Sequence, residues 1–148
     1  MTKFQFRLDA VLRLRELELR VEREKLDRML AERTRLERSL VSVAEERAEA
    51  HAFVRTRPDA GSTEFRALSA FLLGSDARAA ALRGSIQRLE QGIAGQRARV
   101  LAADRNERLL LKLKDKKLAE WRAEHDRELE TLAQESWLST HRPRSQSR

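Results

Sequence analysis

Pro58-Asp59-Ala60-Gly61-Ser62-Thr63 is the only turn-like cluster inside this chain, and what flanks it decides the fold. Pro and Gly within six residues break any regular element, and Ser62 or Thr63 supplies an N-cap for a helix that follows. Upstream, apolar positions recur at alternating spacings of four and three. They run Leu8, Leu12, Arg15, Leu19, Glu22, Leu26, Met29, Arg33, Leu36, Leu40, Val43, Arg47, Ala50 and Val54. Ten of these fourteen are apolar, and no Pro or Gly intervenes, so one continuous helix over about 6–56 is predicted. At 1.5 Å per residue it would extend roughly 70 Å. A seam this narrow cannot be buried by one helix alone.

Downstream the same spacing resumes with Phe65, Leu68, Leu72, Ser75, Ala79, Leu82, Ile86, Leu89, Ile93, Gln96, Val100 and Ala103. Ten of these twelve are apolar, so a second helix covers the first, and the short connection over 57–62 makes the pair antiparallel. The expected fold is all-α: a long antiparallel two-helix coiled-coil hairpin whose second helix spans 63–137. Gly74-Ser75-Asp76 leaves open a break after a short piece over about 64–73. Gly84, Gly92 and Gly95 lie off the seam; each marks either local looseness or close approach by another backbone. Leu109-Leu110-Leu111-Lys112-Leu113 is apolar nearly all round, and Leu118, Trp121, His125, Leu129 and Leu132 prolong the stripe. Residues 138–148 read as a disordered basic tail.

With Val54 level with residue 65, paired numbers in an antiparallel hairpin sum to about 119. Leu8 then lies near Leu111, and everything after about Lys114 overhangs the N-terminus by some 20–25 residues, on the order of 30–35 Å. The overhang carries Leu118 and Trp121 without a partner from the first helix, and an exposed stripe of this kind marks a binding surface. The same end is basic. Residues 105–117 hold six basic and two acidic side chains, and Lys3, Arg7, Arg13 and Arg15 face only Asp9. Phe4 and Phe6 either cap the hairpin against Leu109–Leu113 or belong to the binding tip.

Bulk composition agrees with long helices. The 148 residues are 37% charged and 5% aromatic, with no Tyr or Cys, which suits one elongated module in a reducing compartment. A net charge of +7 and a pI near 10.7 predict attraction to an acidic surface, an anionic lipid or a polyanion. Arg outnumbers Lys 25 to 6, which suits either carboxylate recognition or a GC-rich genome. No apolar run is long enough to span a membrane, and none has signal-peptide flanks, so a soluble cytosolic protein is expected.

Neither a phosphate-binding glycine loop nor an H-E-x-x-H zinc motif occurs. His51, His125 and His141 are too far apart for a local metal site. The carboxylates alternate with Arg in solvated pairs such as Glu16–Arg20. No enzyme, cofactor or metal is expected. A basic coiled coil that binds nucleic acid would need a Lys/Arg face without interleaved Glu, so no nucleic acid is expected; tethering to anionic membrane by residues 105–117 is a further alternative.

Two stretches carry a family resemblance. Phe4-x-Phe6-Arg7-Leu8-x-x-Val11-Leu12-x-x-Arg15 and the basic run Leu111-Lys112-Leu113-Lys114-Asp115-Lys116-Lys117-Leu118-Ala119-Glu120-Trp121 resemble FliJ-type flagellar export proteins. That resemblance implies a cytoplasmic stalk of the type III export machine, peripherally associated with the inner membrane. Its implied partners are the hexameric export ATPase, whose pore takes the end bearing both termini, the membrane export gate, and in some members export chaperones. By position, the implied ATPase-ring group is Phe6, Leu8, Leu12, Arg15, Leu110, Leu113, Leu118 and Trp121. The implied gate group is Leu40, Ala44, Arg47 and His51 with Phe71, Ser75, Arg78 and Leu82. Better-known members carry tyrosines on that face, and this chain has none. Stalk proteins of virulence-type secretion share the architecture and differ through the Phe4–Arg15 motif.

Overall fold

The computed structural model describes residues 3–141. Two α-helices form, α1 (Asp9–Arg55) and α2 (Ser62–Thr140), and they pack antiparallel as a two-helix hairpin with no strand among the described residues. α1 starts at Asp9 rather than near residue 6. The Leu8 carbonyl accepts the first helical bond, from Leu12 N–H at 2.9 Å, and Asp9 in the first turn suits the positive end of the helix dipole. Residues 3–6 stay off the helix. At the other end, Thr56 N–H reaches the Ala52 carbonyl at 3.0 Å, and the Arg57 guanidinium lies 5.0 Å over the Phe53 ring.

Pro58 then occupies the second position of a turn closed by Ala60 N–H on the Arg57 carbonyl. The expected caps Ser62 and Thr63 give way to Gly61, whose carbonyl takes Phe65 N–H at 3.2 Å. The Glu64 carboxylate reaches back to the Gly61 amide at 2.9 Å, the second half of a capping box. Those bonds, first to its own backbone and then to Gly61, lower the Glu64 pKa. α2 is unbroken at Gly74, so the alternative of two pieces is not realised. It also continues through Leu138–Thr140, three residues assigned to the tail by sequence; residues 142–148 of that tail lie outside the described ones.

Two compact units divide the chain. The larger, residues 18–103, buries Leu19, Val43, Val54, Ala79, Ile93 and Ala103 along the expected seam. Two polar seam residues are buried among them. Gln96 donates from Nε2 to the Glu22 carbonyl at 3.0 Å and to the Glu22 carboxylate. This bond, followed by contributions from Lys25 and Arg99, lowers the Glu22 pKa against the opposing effect of desolvation. Ser75 is wholly buried, and its Oγ has no hydrogen-bond partner. Gly92 faces α1 closely, as one of the two sequence options required, but the neighbour is the Met29 side chain rather than backbone. A Cβ there would lie 2.9 Å from Met29 Cε.

The expected register holds at Glu22–Gln96 and shifts toward the hairpin end, where Arg47 pairs with Asp76 and Arg78 with Glu46 at 2.9 Å. α2 spends its first turn rising to the level of α1's last turn, which counting from the loop alone had ignored. The smaller unit joins described residues 3–17 to 104–141, with Leu12 as its buried apolar centre.

Candidate functional site: a basic tip clasped by aromatics

All eight residues expected to face an ATPase ring fall in the smaller unit. Residues 3–6 run beside α2 without helical structure, with a turn at Arg7 and Leu8. An extended residue advances about 3.3 Å against 1.5 Å in a helix, so this short segment reaches far along α2. Phe4 arrives at Trp121, with ring centroids 6.0 Å apart and planes tilted by 56°. Trp121 in turn stacks on His125 at 5.2 Å and 8°. Phe6, Leu113 and Trp121 line a cleft of about 540 Å³ between the segment and the helix, with Arg7, Lys117 and Glu124 at its rim. The aromatic contact draws the chain off a helical path, and this is why α1 begins at Asp9.

Asp9 fixes the two strands of the tip to one another. Its carboxylate takes Lys114 Nζ at 3.1 Å and the Arg13 guanidinium at 3.0 Å. The Lys114 hydrogen bond is the largest cause of a pKa below the ordinary aspartate value, with desolvation opposing it and both cations' charges assisting. Sequence counting put Leu8 level with Leu111; the Asp9–Lys114 pair places α1 just over one helical turn further along α2.

The overhang is therefore corrected. Leu118 and Trp121 are half-buried, Trp121 has Phe4 as its neighbour, and the exposed run of α2 begins after His125. There Leu129, Leu132, Trp137 and Leu138 are 41%, 60%, 59% and 61% exposed. Trp137 stacks on His141 at 4.7 Å, repeating the four-residue Trp-to-His spacing of Trp121–His125.

Of the eight, Leu12 is buried against α2; Phe6, Arg15, Leu110, Leu113 and Leu118 are half-buried like Trp121; Leu8 is just exposed. More exposed than any of the eight are tip leucines outside that group: Leu14 at 51%, Leu17 at 53% and Leu109 at 61%. Their signal was visible as leucines off the seam at a basic end. Phe4 was named in the sequence but not among the eight, and it anchors the clasp.

The expected gate face lies in the larger unit. Ion pairs bring Arg47 to Asp76 and Arg78 to Glu46 across the two helices, with buried Ser75 adjoining Asp76 in sequence. Leu40 and Leu82 are half-buried, while Ala44, His51 and Phe71 are exposed. Among the described residues, no cluster of three or more His, Asp or Glu could hold a metal ion, and no helix is long and apolar enough to cross a membrane.

Residues 4–140 match the family described as the flagellar FliJ protein. Comparison with curated proteins and with solved structures gave no match.

Proposed function

The chain belongs to the flagellar FliJ protein family, and on that footing we propose that it is the non-catalytic stalk of the flagellar type III export apparatus. Its basic tip engages the hexameric export ATPase and aids assembly of the ring. The observation that carries this reading is the tip itself: two chain segments a hundred residues apart, clasped by Phe4 and Trp121 and locked by Asp9–Lys114. Leu14, Leu17 and Leu109 are exposed in the same unit as the exposed Arg13, Arg105, Lys112 and Lys116. Exposed leucines supply apolar contact, and the surrounding cations steer the tip toward an acidic-lined opening and speed the encounter. Leu12 acts as tip core rather than as a contact.

The larger unit serves the membrane-embedded export gate through the face carrying Arg47, Phe71 and Arg78, which keeps the protein at the cytoplasmic side of the inner membrane. In this role its two arginines are already paired with Asp76 and Glu46, and exposed Phe71 borders a cleft that Glu46, Glu49 and Glu64 also line. Export chaperones are further candidates for this unit.

Pull-down with the purified export ATPase, combined with its ATPase rate, tests the reading beside binding to duplex DNA and to anionic vesicles. The expected result is capture of the ATPase and a faster rate, with weak, salt-sensitive binding to the polyanions. Tight DNA or vesicle binding with no effect on the ATPase would sink the proposal.

A further inference from the structure

The charge of α2 reverses along its length within the smaller unit. Residues 105–117 carry six basic and two acidic side chains; residues 124–138 carry Glu124, Asp126, Glu128, Glu130 and Glu135 against Arg127 alone. This acidic end also holds the unpartnered Leu129, Leu132, Trp137 and Leu138. An acidic amphipathic helix does not suit the acidic-lined opening to which the basic tip is suited. It needs a basic surface with exposed leucines, and the tip of this same chain is one.

We propose that a second copy of this chain is the partner: the acidic end of each α2 docks on the basic tip of the other, about a two-fold axis beside residue 120. A two-fold interface is self-complementary, so each pairing occurs twice. With the helices antiparallel about that axis, Glu124, Glu128 and Glu135 come level with Lys116, Lys112 and Arg105 of the second copy. Leu129 comes level with the exposed Leu111, and Leu132 comes beside the level of Leu109. Two acidic ends facing each other would repel, which removes the alternative of end-to-end contact. Glu120 meets its own counterpart near the axis, and Lys117 at 2.7 Å already holds its carboxylate.

The two-fold pair covers Leu109 and the basic side chains around it. It is thus a storage form of the tip, in competition with the ATPase. The storage role rests on the ATPase reading, whereas the pairing itself concerns this protein alone, so a failure to pair leaves that reading untouched.

Sedimentation equilibrium of the full chain at low and high salt tests it, with charge-reversed variants as the decisive arm. The unmodified protein should pass from monomer to dimer with concentration, and salt should favour monomer. Glu128→Lys with Glu135→Lys should weaken association by about tenfold or more, and so should Arg105→Glu with Lys112→Glu, because like charges then face each other. Mixed in equal amounts, these two variants should restore association as a heterodimer. All four positions are solvent-exposed, and circular dichroism should show unchanged helicity. A chain that stays monomeric under every condition, or variants that associate unmixed as well as the parent does, would overturn the proposal. Mixing without restoration would do the same.

Discussion

Ser75 is the residue at which sequence pattern and energetics part company. It occupies a seam position, as the spacing required, and it is completely buried with an Oγ that bonds to nothing. A buried hydroxyl without a partner costs its desolvation, so Ser75→Ala should raise stability by about 1 kcal/mol in chemical denaturation. A loss of similar size would mean that Oγ has a partner after all. Gln96, the other buried polar residue of the seam, bonds to both the carbonyl and the carboxylate of Glu22, and the same truncation there would leave groups unsatisfied. Asp9 gives a pH signature. Its folded pKa lies below the unfolded one, chiefly through Lys114, so the stabilisation is present above the ordinary aspartate range and is lost as pH falls through the folded value. Trp121 fluorescence, read in a Trp137→Phe background, should report loosening of the tip in acid, and Asp9→Asn should remove that transition. A transition that persists in the Asn variant would assign it to a group other than Asp9.

At the scale of the element, both helices were legible in the sequence, because a seam of fourteen and then twelve positions leaves little freedom. The start of α1 was not. Heptad counting carries the helix back through Phe6, whereas Phe4 binds Trp121, more than a hundred residues away, and draws residues 3–6 off the helix. The length of the overhang failed for the same reason, since non-helical residues cover more of α2 than helical counting assumes. Of the eight tip residues, six are half-buried, Leu8 is just exposed, and Leu12 alone is sealed. Its burial was hidden because seam and contact residues share one composition. Phe4→Ala should release segment 3–6: Trp121 emission should shift to the red while far-ultraviolet ellipticity stays constant. A large loss of helicity would instead make the clasp a requirement for folding.

For the whole molecule, charge assigns the work. The chain carries +7, but its use depends on placement: a basic tip around exposed leucines, an acidic end to α2, and a larger unit whose Arg47 and Arg78 are neutralised by ion pairs. A family of flagellar export components supplies the setting, and the contact we propose is made by the tip. The most direct measurement is photo-crosslinking of the full chain to the assembled export ATPase. A photo-reactive phenylalanine analogue would stand at Leu17, at Lys116, or, as a control near the hairpin turn, at Phe53. The account predicts crosslinks to the ATPase from Leu17 and Lys116 and none from Phe53. Crosslinks from Phe53 alone, or a stable complex that neither tip position reaches, would contradict it.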